Sequence, residues 1–133
     1  MNNELIKSIE TLTAAKTFAV GNDLVFIPDF KQSLTPLFKS KAYTPNEIAY
    51  CDLFDNSLLR YASTWAAKEA VYKAVKQLDQ SPLSWKKIEI LREKIGGRPD
   101  VIFHHKPANP FQVSLTLSHD GDYAWAIAIA ELI

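Results

Sequence analysis

The sequence predicts an α+β fold, with an antiparallel sheet packed against one long central helix, in a single domain covering residues 1–133. Three observations carry this. Between Leu58 and Gln80 there is no Gly or Pro, and most of the residues are good helix formers. Phe111, Val113, Leu115 and Leu117 alternate strictly with Gln112, Ser114 and Thr116, the pattern of a half-buried strand. Tyr123, Trp125, Ile127 and Ile129 then alternate with Ala124, Ala126, Ala128 and Ala130. A face built of alanines invites a helix to approach closely, and the long helix, itself rich in alanine, is the natural partner.

The elements follow in order. Leu5, Ile6, Ile9 and Leu12 recur at helical spacing and predict a short amphipathic helix. Phe18–Ile27 is rich in strand formers but is interrupted by Gly21-Asn22-Asp23, where Asp23 would ordinarily end a strand as a turn residue or cap. Residues 28–43, with Pro28 and Pro36, read as a loop with one helical turn. Thr44-Pro45-Asn46-Glu47 is a helix start, with Thr44 as cap, Pro45 in the first position and Glu47 closing a capping box. That helix is expected to run to about Phe54. Asp55-Asn56-Ser57 breaks and caps the chain again before the long helix, which is expected to stop near Ser81-Pro82. Within it Ala67, Val71, Ala74, Val75 and Leu78 form one apolar stripe, with Glu69, Lys73 and Lys76 roughly opposite. Ile88 and Ile90 begin the sheet, Ile95-Gly96-Gly97-Arg98-Pro99 turns, and Val101-Ile102-Phe103 follows. His119-Asp120-Gly121-Asp122 connects the last two strands tightly.

Composition narrows the functional classes. Fifteen basic and fifteen acidic side chains cancel, so no global field recruits nucleic acid or an anionic membrane. Lys86-Lys87 and the stretch from Arg92 to Arg98 remain as local basic patches. A lone Cys51 excludes an internal disulfide and fits a reducing compartment, where its thiol serves as a small packing residue. The polar start Met1-Asn2-Asn3-Glu4 is unlike a signal peptide, and the apolar run Tyr123–Ala130 is too short to span a bilayer. A cytoplasmic protein is the expectation.

Several site types fail on spacing. Ser118-His119-Asp120 are chain neighbours and cannot line up as nucleophile, base and orienter. His104-His105 lacks the spaced partners of a zinc site, and Gly96-Gly97 alone is no phosphate loop. Four short stretches are more informative in combination: Gly21-Asn22-Asp23-Leu24-Val25, Lys68-Glu69-Ala70-Val71-Tyr72-Lys73-Ala74, Gly97-Arg98-Pro99, and Leu115-Thr116-Leu117-Ser118-His119 leading into Tyr123-Ala124. In that order, at this chain length, the sequence resembles the 4′-phosphopantetheinyl transferase superfamily, specifically the short holo-(acyl-carrier-protein) synthase type.

The resemblance spans residues 18 to 131 or so and implies a 4′-phosphopantetheinyl transferase-like fold. It implies transfer of the phosphopantetheine arm of coenzyme A to a serine of an apo acyl carrier protein, leaving adenosine 3′,5′-bisphosphate. By the same resemblance Asp23 and Glu69 would hold Mg²⁺, with Glu69 also helping to take the serine proton. Lys73 would contact phosphate, with Lys68 a second candidate, and Gly97, Arg98 and Pro99 would flank the adenine. Ser118 and His119 would approach the phosphates or ribose of the coenzyme. Asp23, Glu69 and Lys73 are thus the implied catalytic residues, and a homotrimer with sites at its subunit boundaries is the implied assembly. The chain departs from the family pattern at Phe26 and Asp29, where acidic and basic residues are common, and at Thr64, where a basic residue is common. A Gly-Thr-Gly segment is replaced by Val75-Lys76-Gln77, while Lys31, Lys39 and Lys41 are alternative sources of docking charge. These departures keep a second reading open: a coenzyme A- or carrier-binding module without transfer.

Overall fold

A computed structural model describes residues 2–14, 17–92 and 97–133, with residues 9–14 described by backbone alone. The elements are α1 (Asn3–Ala14), β1 (Phe18–Phe26), α2 (Ile27–Ser33), α3 (Pro36–Ala42), α4 (Pro45–Asp52), α5 (Ser57–Val75), a 3₁₀ turn (Trp85–Lys87), β2 (Ile88–Leu91), β3 (Asp100–Phe103), β4 (Phe111–Asp120) and β5 (Tyr123–Leu132). The strands make two antiparallel sheets: β1-β5-β4, and the pair β2-β3. The helix α5 lies between them. It packs against β1, β5 and β4 on one side and against α4 and β2 on another.

The alanine face of β5 decides how close the helix comes. Ala124, Ala126, Ala128 and Ala130 are all buried, together with Ala66, Ala67, Ala70 and Ala74 of α5. Gly21 of β1 takes this further, because a Cβ there would stand 1.8 Å from the carbonyl oxygen of Ala70. Glycine is required at this point by the approach of two backbones. The strand therefore runs unbroken through Gly21-Asn22-Asp23, so Asp23 does not take the ordinary turn or cap role of its residue type. Burial along β1 alternates perfectly, with Ala19, Gly21, Asp23 and Val25 inward.

Other expectations shift in detail. The segment read as a loop holds two short helices, each with proline in its first turn, and α3 is capped by the Thr35 hydroxyl accepting from the Phe38 N–H at 3.2 Å. Proline suits the first helical turn because its missing N–H would have had no partner there. The capping box at Thr44 and Glu47 is present, and α4 ends at Asp52. Asn56 caps α5, accepting from the Leu59 N–H at 3.2 Å. The long helix ends at Val75 rather than Ser81, and its buried surface extends well beyond a single stripe, taking in Tyr61, Ser63, Thr64 and Lys68. Of the turn expected at residues 95–99, residues 95 and 96 lie outside the described residues. Between β4 and β5 a two-residue loop, Gly121-Asp122, closes the hairpin, and Gly121 takes a φ of 54° that suits its missing side chain.

Candidate active site

Asp23 reaches the site because β1 continues through it, and Glu69 and Lys73 reach it because they lie one helical turn apart on α5. The Lys73 ammonium donates to Asp23 Oδ1 at 2.8 Å and to the Asn22 carbonyl at 3.2 Å. The Glu69 carboxyl lies near enough to Asp23 for the Asp23 charge to act on it. Burial and the Asp23 charge push Glu69 up to about 7, against the pull of Lys73. Two carboxyls this close resist ionising together, and a bound cation would relieve that repulsion. The hydrogen bond to Asp23 raises the Lys73 pKa and keeps its ammonium charged. About half of the Lys73 side chain is exposed, against 11% of Asp23, so the cluster opens outward through the lysine.

Its walls come from both elements. Trp65 stacks on Trp85 at 4.7 Å between ring centroids, and Tyr72 lies against the same Trp85 at 4.9 Å. Gln77 Nε2 donates to the carbonyls of Val20 and Lys73, each at 3.0 Å, while on the opposite face of the sheet the Trp125 indole donates to Asn22 Oδ1. Gln77 thus stitches the end of α5 to β1. Sequence reading gave no role to Gln77 or to the missing side chain of Gly21, because both act on backbone atoms of a distant element.

The other candidate residues fall in three places. Lys68 is a correction: it is fully buried, and its ammonium donates to Glu47 Oε1 at 2.6 Å and to the Ile88 carbonyl at 2.7 Å. A side chain sealed on the far flank of α5 cannot touch a ligand at Glu69. His119 shares the helix-facing side of the sheet with Asp23, since β4 and β5 pair His119 with Ala124 and Leu117 with Ala126, the partner of Asp23. Ser118 points to the opposite face, level with Trp125 and Leu24. Arg98 donates to Ser114 Oγ at 3.0 Å, while Gly97 and Pro99 lead into β3. Ser114 lies on the same sheet face as Ser118.

The departures from the family pattern have structural outcomes too. Phe26 ends β1 stacked on Tyr123 at 5.2 Å, and Asp29 is exposed on α2. Thr64 is buried, and the Arg92 guanidinium, seated over the Tyr50 ring, donates to its hydroxyl. A basic group therefore does reach this position, supplied from the end of β2. Cys51 is buried beside Thr64, its thiol pushed up to about 11 by burial, which makes it a packing residue.

The family model described as the 4′-phosphopantetheinyl transferase superfamily matches residues 19–128. The holo-[acyl-carrier-protein] synthase of Koribacter versatilis is 38% identical over 120 residues, covering 84% of this chain and 95% of that protein. The synthase of the same name from Moorella thermoacetica is 35% identical over 119 residues, covering 84% and 91%. Among solved structures, the Chronobacterium ammoniagenes ACPS–CoA complex superposes with a TM-score of 0.76 at 26% identity, covering 89% of this chain and 99% of that one. The matched span holds β1 with Asp23 and α5 with Glu69 and Lys73, and on this evidence the chain belongs to the 4′-phosphopantetheinyl transferase superfamily.

Proposed function

We propose that this protein transfers the 4′-phosphopantetheine arm of coenzyme A to a serine hydroxyl of an apo acyl carrier protein, in a Mg²⁺-dependent reaction that leaves adenosine 3′,5′-bisphosphate. The convergence of Asp23, Glu69 and Lys73 from two distant elements carries the reading. Two hard carboxyl donors whose joint ionisation is resisted until a cation joins them fit a hard divalent ion, and Asp23 and Glu69 would hold it. Bound there, Mg²⁺ would offset the charge of the pyrophosphate. Lys73, exposed and held charged, would meet a phosphate oxygen and steady the leaving group. Glu69 would accept the serine proton, and His119, on the same sheet face as Asp23, would approach the coenzyme. A reducing, cytoplasmic setting belongs to the proposal and accords with the buried Cys51 thiol.

The assembly proposed is a homotrimer. The outward face of the β1-β5-β4 sheet carries Leu24, Tyr123, Trp125 and Ile129, between 40% and 58% exposed. Apolar area of this kind marks an interface, and further copies of this chain are the occupants proposed. Arg98, Ser114 and Ser118 lie on that face, away from Asp23 of the same chain. In a trimer they would serve coenzyme bound at a subunit boundary. Light scattering tests the assembly, and a strictly monomeric protein with full turnover would overturn it.

The transfer itself is tested by mass. An apo carrier incubated with the protein, coenzyme A and Mg²⁺ gains one phosphopantetheine arm, and chelation of the metal stops the gain. Glu69→Gln is expected to reduce transfer by at least about 100-fold while the protein stays folded. The binding-only alternative predicts uptake of coenzyme A with no gain on any carrier, acidic or neutral.

A further inference from the structure

Three successive residues of α5 point three ways, as steps of about 100° around a helix require. Lys68 enters the layer formed by α4 and β2, Glu69 faces Asp23, and the Ala70 backbone lies against Gly21 of β1. The residue proposed for chemistry is thus flanked on both sides by a fixed contact.

The contact at Lys68 is complete. Its ammonium meets Glu47 Oε1 and the Ile88 carbonyl, while Glu47 also accepts from the Thr44 N–H and the Ile90 N–H, each at 2.8 Å. Burial lowers the Lys68 pKa from the ordinary lysine value, against the opposing pull of Glu47 and Glu89. Stability alone does not explain the pair. A buried ion pair often contributes no more than apolar residues of similar volume would. What it adds is direction, because Lys68 is tied at once to Glu47 of α4 and to the Ile88 carbonyl of β2, and turning α5 about its axis would break both contacts. The sheet-facing core of α5 is largely alanine, which permits close approach yet offers few protruding side chains to resist rotation. A helix seated on alanines needs a directional restraint.

We propose that Lys68 and Glu47 are positioning residues that fix the rotation of α5, so that the Glu69 carboxyl meets Asp23. The proposal rests on the reading of Asp23, Glu69 and Lys73 as the site of transfer. Lys68 touches no ligand and acts through its neighbour.

The test compares the wild type with the double variant Lys68→Met/Glu47→Gln in the carrier transfer assay. Removing both charges strands neither, so the variant is expected to melt within a few degrees of the wild type. Misplacement of a catalytic group by about 1 Å costs on the order of 100-fold. We therefore expect kcat to fall by about tenfold or more while KM for coenzyme A stays unchanged. Glu47→Asp keeps both charges but shortens the reach, and it should give a smaller loss of the same kind. A merely stabilising pair would move the melting temperature and leave kcat alone. A well-folded double variant with wild-type kcat overturns the proposal. Should that variant lose its cooperative melt, wild-type kcat in Glu47→Asp overturns it instead. A wild-type protein that modifies no carrier overturns the underlying reading, and the positioning role with it.

Discussion

The two flanks of α5 carry ion clusters of opposite design. On one flank Lys68 and Glu47 are sealed from water, and each charge has its partner and further hydrogen bonds. On the other, Asp23 and Glu69 lie beside one half-exposed lysine and resist ionising together. The sealed cluster holds architecture, and the open one keeps binding capacity. Adjacent residues, 68 and 69, thus belong to different kinds of chemistry, and only the rotation of the helix separates them.

Breaking the sealed side should cost most. Glu47→Ala strands the Lys68 ammonium in the core, and denaturant unfolding should show a loss of about 3–5 kcal/mol. Gly21→Ala comes next. Its methyl group would collide with the Ala70 carbonyl, forcing β1 and α5 apart at about 1–3 kcal/mol, with transfer lost alongside.

Asp79 probes the end of the same helix. It is buried after α5, and hydrogen bonding to Ser81 lowers its pKa against burial, helped by the backbone N–H groups of Ser81, Asn109 and Ala108. A carboxyl held below its unfolded value stabilises above about pH 4 and loses that contribution as pH falls through the folded value. Asp79→Asn should therefore be less stable by about 1–2 kcal/mol at pH 7, a gap that closes in acid melts.

The open side should hardly register in stability. Lys73→Met is expected to change it by less than about 1 kcal/mol, because the pair is half exposed, although carrier modification should fall sharply. Glu69→Gln should reverse the sign. Its carboxyl is raised from 4.5 to about 7, so its contribution weakens as pH rises across that window. The variant should melt at or above the wild type at pH 8, with the difference gone near pH 4. A Glu69→Gln protein as destabilised as Glu47→Ala would erase the contrast between the flanks.

Elements with a strong local signal were legible in the chain. The alternation in β4 and β5, the capping box at Thr44 and the uninterrupted run of α5 are all present. The two short helices at residues 27–42 were missed, because seven-residue helices carry too little periodicity to show. At Asp23 the ordinary turn alternative fails for a different reason. Its neighbours Gly21 and Asn22 are turn formers in isolation, and the strand survives there because α5 lies against it.

What the sequence determined by itself was the longer elements, the alanine face that would receive a helix, and the acids and lysines of the motifs. Periodicity and capping are local, so they can be read from neighbours along the chain. Tertiary structure decided that Asp23 meets Glu69 and that Lys68 turns away into the core. It also decided that Glu47, legible only as a cap, supplies the countercharge. Those outcomes depend on the rotation and depth of one helix against a strand and its opposite layer, distances that no local pattern encodes.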